Sequence, residues 1–452
     1  MTDYEHRPPW DEPAPLAGVT PAAPLPASTQ VAIVGGGIMG AAIAYELARK
    51  GRSVVLLEKG LVAGEQSGRN WGWCRQQARD EDELPLMIES LRRWAALEAE
   101  LGADFEWTQE GNLAITTFPA RLGFFRSWIE LARVSNLDTR LVDEAEIKAR
   151  LPGLSGSWLG GMFTASDGHA EPAPATRAIA AGAVAHGAVV VEGCAVDRIL
   201  AGGGRVTGVE TERGVIRAET VVCAAGVWSA RLLRPLGVDL PIRIVHTSVA
   251  RTLPVDPLTR LGVAYHPVVS FRQRRSGVLY MAAGGWSDYD ITLDSFSHLR
   301  QFLPNYVKNR KMIRVHLGRP LLDDIGRRLR RRDLAWSLRQ ARVLNPPANP
   351  DKVTSAVTNF RRLFPSVPVT LDRAWAGYTD TTPDAVPVID ALRTPAGLVI
   401  ASGFSAHGFG MGPIVGKLVA EEIADGEPSM SLQPFRLSRF ADGTYRKPRL
   451  VT

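Results

Sequence analysis

Residues 31–59 read VAIVGGGIMGAAIAYELARKGRSVVLLEK, an apolar run, a glycine turn, a helix-forming stretch and a second apolar run that closes on an acid. That order constrains the chain to open as a strand, a tight turn, a helix packed on the strand and a second strand, the first unit of a doubly wound α/β sheet. Gly35 permits the turn, Gly37 lets backbone amides approach a pyrophosphate, and Gly40 lets the helix lie close against the strand. The helix starts through Ile38 and Met39, and its unpaired N–H groups and positive dipole end favour phosphate. Glu58, followed by Lys59, ends the second strand about twenty residues on, where a carboxylate accepts hydrogen bonds from the hydroxyls of an adenosine ribose. A ribose 2′-phosphate is repelled there. The segment reads as a dinucleotide grip, and alone it does not choose between a nicotinamide and a flavin.

Two further segments bear on that choice. SGRNWGWCRQQARD, Ser67 to Asp80, interleaves glycines, polar residues and bulky aromatics in a manner unusual for a solvated loop. Ser67, Arg69 and Asn70 are donors for a pyrophosphate, while Gly68 and Gly72 let main chain lie against a flat ring. Trp71, Trp73, Gln76 and Gln77 follow as pocket walls or, equally, as interdomain core. GLVIASGFSAHGFGMGPIVGKLVAEEIADG, residues 397–426, reads as a strand, a glycine-rich turn and a helix beginning near Gly412 and Pro413, since proline is favoured at a first helical position. Such an end stabilises negative charge, as on a reduced isoalloxazine. Between these segments RAETVVCAAGVWSARLL gives a buried strand ending at Ala224, Ala225 and Gly226.

In this order the segments resemble the FAD-dependent amine oxidoreductases of the D-amino-acid oxidase family, over nearly all of residues 29–430. The resemblance implies an α/β fold: a Rossmann-type FAD-binding domain with an α+β substrate domain containing an antiparallel sheet. The FAD-binding domain is expected over 29–80, 166–245 and 376–430, and the substrate domain over 81–165 and 246–375. A proline-rich N-terminal arm, 1–28, and a C-terminal tail, 431–452, complete the chain. The resemblance further implies that Gly35, Gly37, Gly40 and Glu58 hold the ADP half, that Val196 meets the adenine through its main chain, and that Ser67–Gly72 and Gly403–Gly412 surround the flavin. Within that last turn Phe404, His407, Gly408, Phe409, Gly410 and Met411 are expected at the cofactor, as are Ala225, Gly226, Trp228 and Gly377.

Length and composition agree. A chain of 452 residues with 45% hydrophobic and 22% charged content has ample area for two cores. A net charge of +6 is modest, and no stripe of arginines with aromatics suggests nucleic acid. Cys74, Cys194 and Cys223 show neither disulfide nor metal spacing, so a cytoplasmic chain with reduced thiols and no metal is expected. Residues 1–28 lack an apolar core and read as a flexible or surface-hugging arm, and no run is long and apolar enough to span a membrane. VVVEGCAVDRI, RVTGVETERG and VIRAETVVCAAG read as strands of a small sheet. The cluster Arg327, Arg328, Arg330, Arg331 and Arg332 lies among Leu321, Leu322, Ile325, Leu329 and Trp336 at near-helical spacing. It reads as the solvated face of a helix; the alternative is a patch for peripheral membrane contact or acceptor docking.

The chemistry expected is hydride transfer to flavin N5 from a carbon bearing a neutral amine, with the imine hydrolysed by water. The cofactor carries that reaction, so the chain must anchor the substrate and exclude water. Relatives place an anchoring arginine in a pattern like WAGLRPMTPD, whereas this chain reads WAGYTDTTPD, with Tyr378 and Thr379 in the stretch where that arginine stands. Arg272, in VVSFRQ, is then the candidate carboxylate anchor or else a surface strand residue, and His407 either bonds the flavin edge or bridges its turn. Ala376 and Gly377 stand where sarcosine oxidases carry a flavin-bearing cysteine, which implies non-covalent FAD. GVLYMAAGG, Gly277–Gly285, lacks the lysine that such oxidases keep for oxygen, which implies a dehydrogenase. The expected substrate is an amino acid or a secondary or cyclic amine. A D-amino-acid or glycine oxidase and a flavin-bearing subunit of a hetero-oligomer are the alternatives, and the electron acceptor is left open among a quinone, a partner flavoprotein and oxygen.

Overall fold

The computed structural model describes residues 5, 6, 16, 24–329 and 334–446. The apolar run of the grip forms the strand Ser28–Val34, flanked in parallel by Val54–Leu57 on one side and Gly214–Cys223 on the other. Where they are buried on both faces, at Val31–Val34, Val54–Leu57 and Val221–Cys223, these strands run in Val, Ile, Leu and Ala, with Cys223 at the end. Val189–Val191 extends the sheet beyond Val54–Leu57. Gly214–Cys223 gives its first half to an antiparallel meander with Arg205–Thr211 and Val196–Gly202, and its second half to Leu398–Ser402. The expected small sheet is therefore no separate unit: its strands are split between the two ends of the dinucleotide sheet.

The helix Ile38–Arg49 is buried from Ile38 to Ala48, because it lies between this sheet and the helices Pro172–Ala185 and Gly408–Ala424. Its small side chains allow that packing. Gly408–Ala424 begins four residues before the expected Gly412 start. Pro413 sits inside the helix, where the preceding turn is already braced by Trp94 Nε1 and Ser90 Oγ donating to Gly410 O at 2.9 and 2.6 Å. Trp94 and Ser90 come from Leu84–Leu101, whose apolar stripe Leu84, Leu91, Trp94 and Leu97 is buried as its periodicity requires.

The second sheet runs, in spatial order, Glu5–His6, Leu371–Thr381, Arg243–Thr252, Leu279–Ala282, Val269–Gln273, Gly262–Tyr265, Asn112–Thr116, Gly160–Thr164 and Arg140–Val142. Ser287–Asp290 pairs with Arg243–Thr252 and with Ile313–His316. The sheet is antiparallel except for the pairings of Glu5–His6, of Gly262–Tyr265 with Asn112–Thr116, and of Ser287–Asp290 with Ile313–His316. Alternation puts Phe271 on the face covered by Pro350–Leu363, in edge contact with Phe360 and Phe364, and Ser270 and Arg272 on the opposite face. Leu371–Thr381 runs unbroken through the boundary expected after residue 375.

The ends are tied down where they are described. Leu16 is buried and its N–H donates to Glu192 at 2.8 Å; most of the expected N-terminal arm lies outside the described residues. Arg439, buried, pairs with Asp384 at 2.8 Å and fixes the C-terminal segment to the TTPD turn. Arg330–Arg332 also lie outside the described residues. The helix Arg319–Leu329 does form, but Leu322, Ile325 and Leu329 are exposed, against the expectation of an inward apolar stripe.

Candidate functional site

A single cavity of about 450 Å³ runs from the grip to the inner face of the second sheet. At one end the backbone of Gly35–Met39 lines it together with Glu58, Lys59, Val196, Ala225, Gly226 and Trp228. Gly35 adopts φ +111°, and a Cβ there would stand 2.5 Å from Ala224 O. A Cβ on Gly40 would collide with Gly35 O, so Gly40 serves helix packing and does not line the cavity. A Cβ on Gly37 would face Ser67 alone, at 3.0 Å from its Oγ. The helix starting at Ile38 has a glycine N-cap that supplies no side-chain bond and no acid in its first turn, which suits an anion at that terminus. Glu58 accepts from Gly36 N at 2.8 Å and Gly60 N at 2.7 Å, and burial pushes its carboxyl up to about 7. Each oxygen keeps a further lone pair for a ribose hydroxyl. Backbone donors, the helix dipole and the carboxylate together fit the ADP half of FAD.

The Ser67–Gly72 loop is held by its own polar groups. Ser67 Oγ accepts from Ile38 N at 2.8 Å, Asn70 bridges Ser67 O and Gly72 N at 2.8 and 2.7 Å, and Arg69 donates to Asn345 Oδ1 at 2.7 Å. Ser67, Arg69, Asn70 and Trp71 line the cavity; Gly68 and Gly72 do not. Gln66 links this loop to Asp380, donating at 2.8 Å, and Asp380 in turn accepts from Gly403 N at 2.7 Å. Phe404, His407, Gly408, Phe409 and Gly377 reach the cavity, whereas Gly403, Gly410 and Met411 pack behind it.

His407 lines the wall with Nδ1 held 2.9 Å from the fully buried Glu83. A hydrogen bond to a carboxylate fixes Nδ1 as the protonated nitrogen. Burial, reinforced by Arg79, keeps the ring below the usual histidine range. Tyr378 also lines the cavity, in edge contact with His246 at 5.7 Å, and burial raises its phenol above the usual value.

Arg272 is placed differently from expectation. Its guanidinium is buried, Nη1 lies 2.8 Å from Glu171, Nε donates to Trp71 O, and Cζ sits 4.6 Å over the Tyr280 ring. It lies behind the Trp71 and Trp73 wall and does not line the large cavity. Gly72 permits this, since a Cβ there would stand 2.9 Å from Arg272 Nη2. Arg272 is neither a surface residue nor free for a substrate, because Glu171, from the segment before Pro172, pairs with it.

Arg75, Arg79 and Arg121 also reach the cavity, and Arg79 lies beside Glu83. Arg75 lies with Cζ 5.6 Å from the Trp73 ring, and Arg121 with Cζ 4.9 Å from Phe124. Neither is ion-paired among the described residues. Burial, with Arg79 nearby, lowers Arg75 to about 9, and burial lowers Arg121. His266 lines the same region and is pushed down to about 4 by burial and by Arg121 and Arg75. Arg75 was present in the flavin-loop segment between Trp73 and Gln76, and Gln76 and Gln77 turn out to be the residues spent on structure, bonding Asp167 and Asn112. Arg121 left only its spacing to Phe124 and Phe125 as a signal.

Grip, loop and aromatic wall around one cavity define a flavin-dinucleotide oxidoreductase. The chain belongs to the DAO family of FAD-dependent oxidoreductases, whose sequence profile matches residues 30–422. It is similar to mitochondrial sarcosine dehydrogenase of Mus musculus, 25% identical over 430 residues, which are 93% of this chain and 42% of that protein. It is similar to sarcosine oxidase subunit beta of Arthrobacter sp, 28% identical over 92% of each chain. Among solved structures, L-amino acid deaminase from Proteus myxofaciens in complex with anthranilate superimposes with a TM-score of 0.87 at 27% identity, covering 97% of this chain and 100% of that one.

Proposed function

We propose that the chain oxidises the C–N bond of an amine bearing a carboxylate, an amino acid or an N-alkyl or cyclic amino acid, and that it does so as a dehydrogenase. The observation that carries the reading is the pair of guanidiniums, Arg75 and Arg121, that line the substrate end of the cavity with no carboxylate at ion-pair distance among the described residues. Desolvated cations without a close ion pair call for an anion, and a planar guanidinium matches a carboxylate. FAD, when bound, supplies the electron-accepting chemistry. The chain supplies the rest: Arg75 and Arg121 hold the carboxylate, Trp71, Trp73 and Tyr378 exclude water around the amine, and Glu83 fixes the tautomer of His407. The names of the sarcosine-oxidising relatives support a secondary amine.

Anaerobic bleaching of the flavin by a panel of amines tests this. N-methyl and cyclic amino acids should bleach it, and the same amines without the carboxylate should not; bleaching by both alike removes the anchor. The match to a beta subunit over 92% of both chains favours a second reading, a flavin-bearing member of a hetero-oligomer. Turnover of a dye by the chain alone distinguishes it. Three buried, unpaired thiols suit a reducing compartment, and we assign the chain to the cytoplasm on that chemistry. No helix among the described residues is long and apolar enough to cross a membrane.

A further inference from the structure

Two helices between Ser287–Asp290 and Pro350–Leu363 present their apolar sides outward. On Leu299–Asn309 the exposed residues Leu299, Leu303, Tyr306 and Val307 recur at i, i+4, i+7 and i+8, one stripe of a helix. Leu299 and Leu303 are each 54% exposed. The polar residues point the other way: Asn305 and Asn309 line the cavity, and Gln301 Nε2 donates to Phe440 O at 3.2 Å. Arg319–Leu329 repeats the inversion. Leu322 and Leu329, 67% and 79% exposed, share a stripe with Ile325, while Asp324 is buried and accepts from Leu293 N at 3.2 Å. Leu317, between the two helices, is 76% exposed.

Scattered exposed leucines need no explanation, but two successive helices with leucines outside and polar residues inside do. Charge narrows what covers them. Arg300, Lys308, Arg310, Lys311, Arg314 and Arg319 are exposed along the same stretch, in which the acids are Asp323 and the buried Asp324. A face that is apolar and basic repels a second copy of itself and suits a surface of anionic headgroups over hydrocarbon. We propose that the helices Leu299–Asn309 and Arg319–Leu329 dock the protein on an anionic lipid bilayer, with the leucines and Tyr306 at the acyl boundary and the basic side chains on lipid phosphates. Because Asn305, Asn309, Met312 and Ile313 line the cavity, the docked face is also the outer side of a cavity wall.

Flotation of the FAD-loaded protein with vesicles tests this. Mixed phosphatidylcholine–phosphatidylglycerol vesicles should capture at least about tenfold more protein than pure phosphatidylcholine, and raised salt should release it. The double variant Leu303→Asp, Leu322→Asp should lose that capture and keep its flavin spectrum and its turnover of a soluble dye, as should Arg310→Glu, Lys311→Glu. Three outcomes overturn the proposal: equal capture by both vesicles, capture that survives both double variants, or a dimer in sedimentation velocity that Leu303→Asp dissociates while vesicles capture nothing.

Discussion

The imidazole of His407 is anchored to Glu83 across 324 positions of sequence, Nδ1 lying 2.9 Å from a carboxylate with no exposed surface. Glu83 opens the helix that braces the flavin turn, and His407 closes that turn, so one buried contact sets both. Arg79, itself buried, lies beside the same carboxylate. Removing one member of a buried charged set leaves the others unmatched, at about 3 to 5 kcal/mol. Glu83→Leu should therefore lower stability by about that amount at fixed FAD saturation, read from urea unfolding. An unchanged midpoint would mean that Glu83 contributes nothing net.

Glu58 gives FAD affinity a pH dependence whose sign follows from its surroundings. Burial raises its carboxyl to about 7 in the free protein. Ribose hydroxyls donating to it favour the ionised form, so its pKa falls on binding and FAD binds with release of a proton. Affinity should rise with pH up to about 7, by at most about tenfold per unit, and level off above it. Glu58→Gln should bind more weakly and show a flat profile. A parallel slope in the variant assigns the dependence to another group.

The substrate end separates arginines that the sequence cannot. Arg75→Met or Arg121→Met should raise KM for a carboxylate substrate by about 30- to 1000-fold, equivalent to about 2 to 4 kcal/mol, with FAD content unchanged. Arg272→Met removes one of two arginines on Glu171, leaving Arg274 at 3.3 Å and the Tyr280 hydroxyl at 3.2 Å, and should lower stability by about 1 to 3 kcal/mol. Steady-state kinetics beside thermal unfolding tells these apart. If Arg272→Met raises KM without loss of stability while Arg75→Met does neither, the anchor belongs to Arg272 after all.

What was legible in the chain follows the range of the interactions involved. The grip and the buried strand that ends before Ala224 were readable because period and turn chemistry are local. Arg272 was read as an anchor from its place in a strand and the absence of an arginine near Tyr378, and neither shows the carboxylate that arrives from a segment a hundred residues away, here Glu171. The early start of Gly408–Ala424 was hidden likewise, since Trp94 and Ser90 reach Gly410 O from another helix. Arg75 was visible yet passed over, as one more polar residue among Trp73, Gln76 and Gln77.

Attachment of the cofactor has a simple readout. Cys74, Cys194 and Cys223 are buried, none lines the cavity, and Ala376 and Gly377 carry no thiol. FAD should pass entirely to the supernatant on acid precipitation. Flavin fluorescence retained in the washed pellet would show a covalent link.

Oxygen should be a poor acceptor. A positive charge beside the flavin stabilises developing superoxide, so the question is which cation the cavity keeps uncompensated during turnover. The strand Leu279–Ala282 contributes no lysine, and Ala283, Gly284 and Gly285 line the wall that follows it. Lys352 lies behind that wall, its Nζ 5.6 Å from the Trp286 ring, but it is buried against Asp288 at 3.3 Å, which offsets its charge. Arg75 and Arg121 are matched whenever a carboxylate is bound. Arg79, at the same end, faces Glu83, so among the described residues no lone cation is then left there, and reoxidation by oxygen should be slow beside reoxidation by a quinone or dye. Stopped-flow mixing of the substrate-reduced protein with air-saturated buffer, against the same concentration of artificial acceptor, gives the ratio directly. Equal rates would overturn the dehydrogenase assignment, and a rate for oxygen that falls in Lys352→Met would place the missing charge at Lys352.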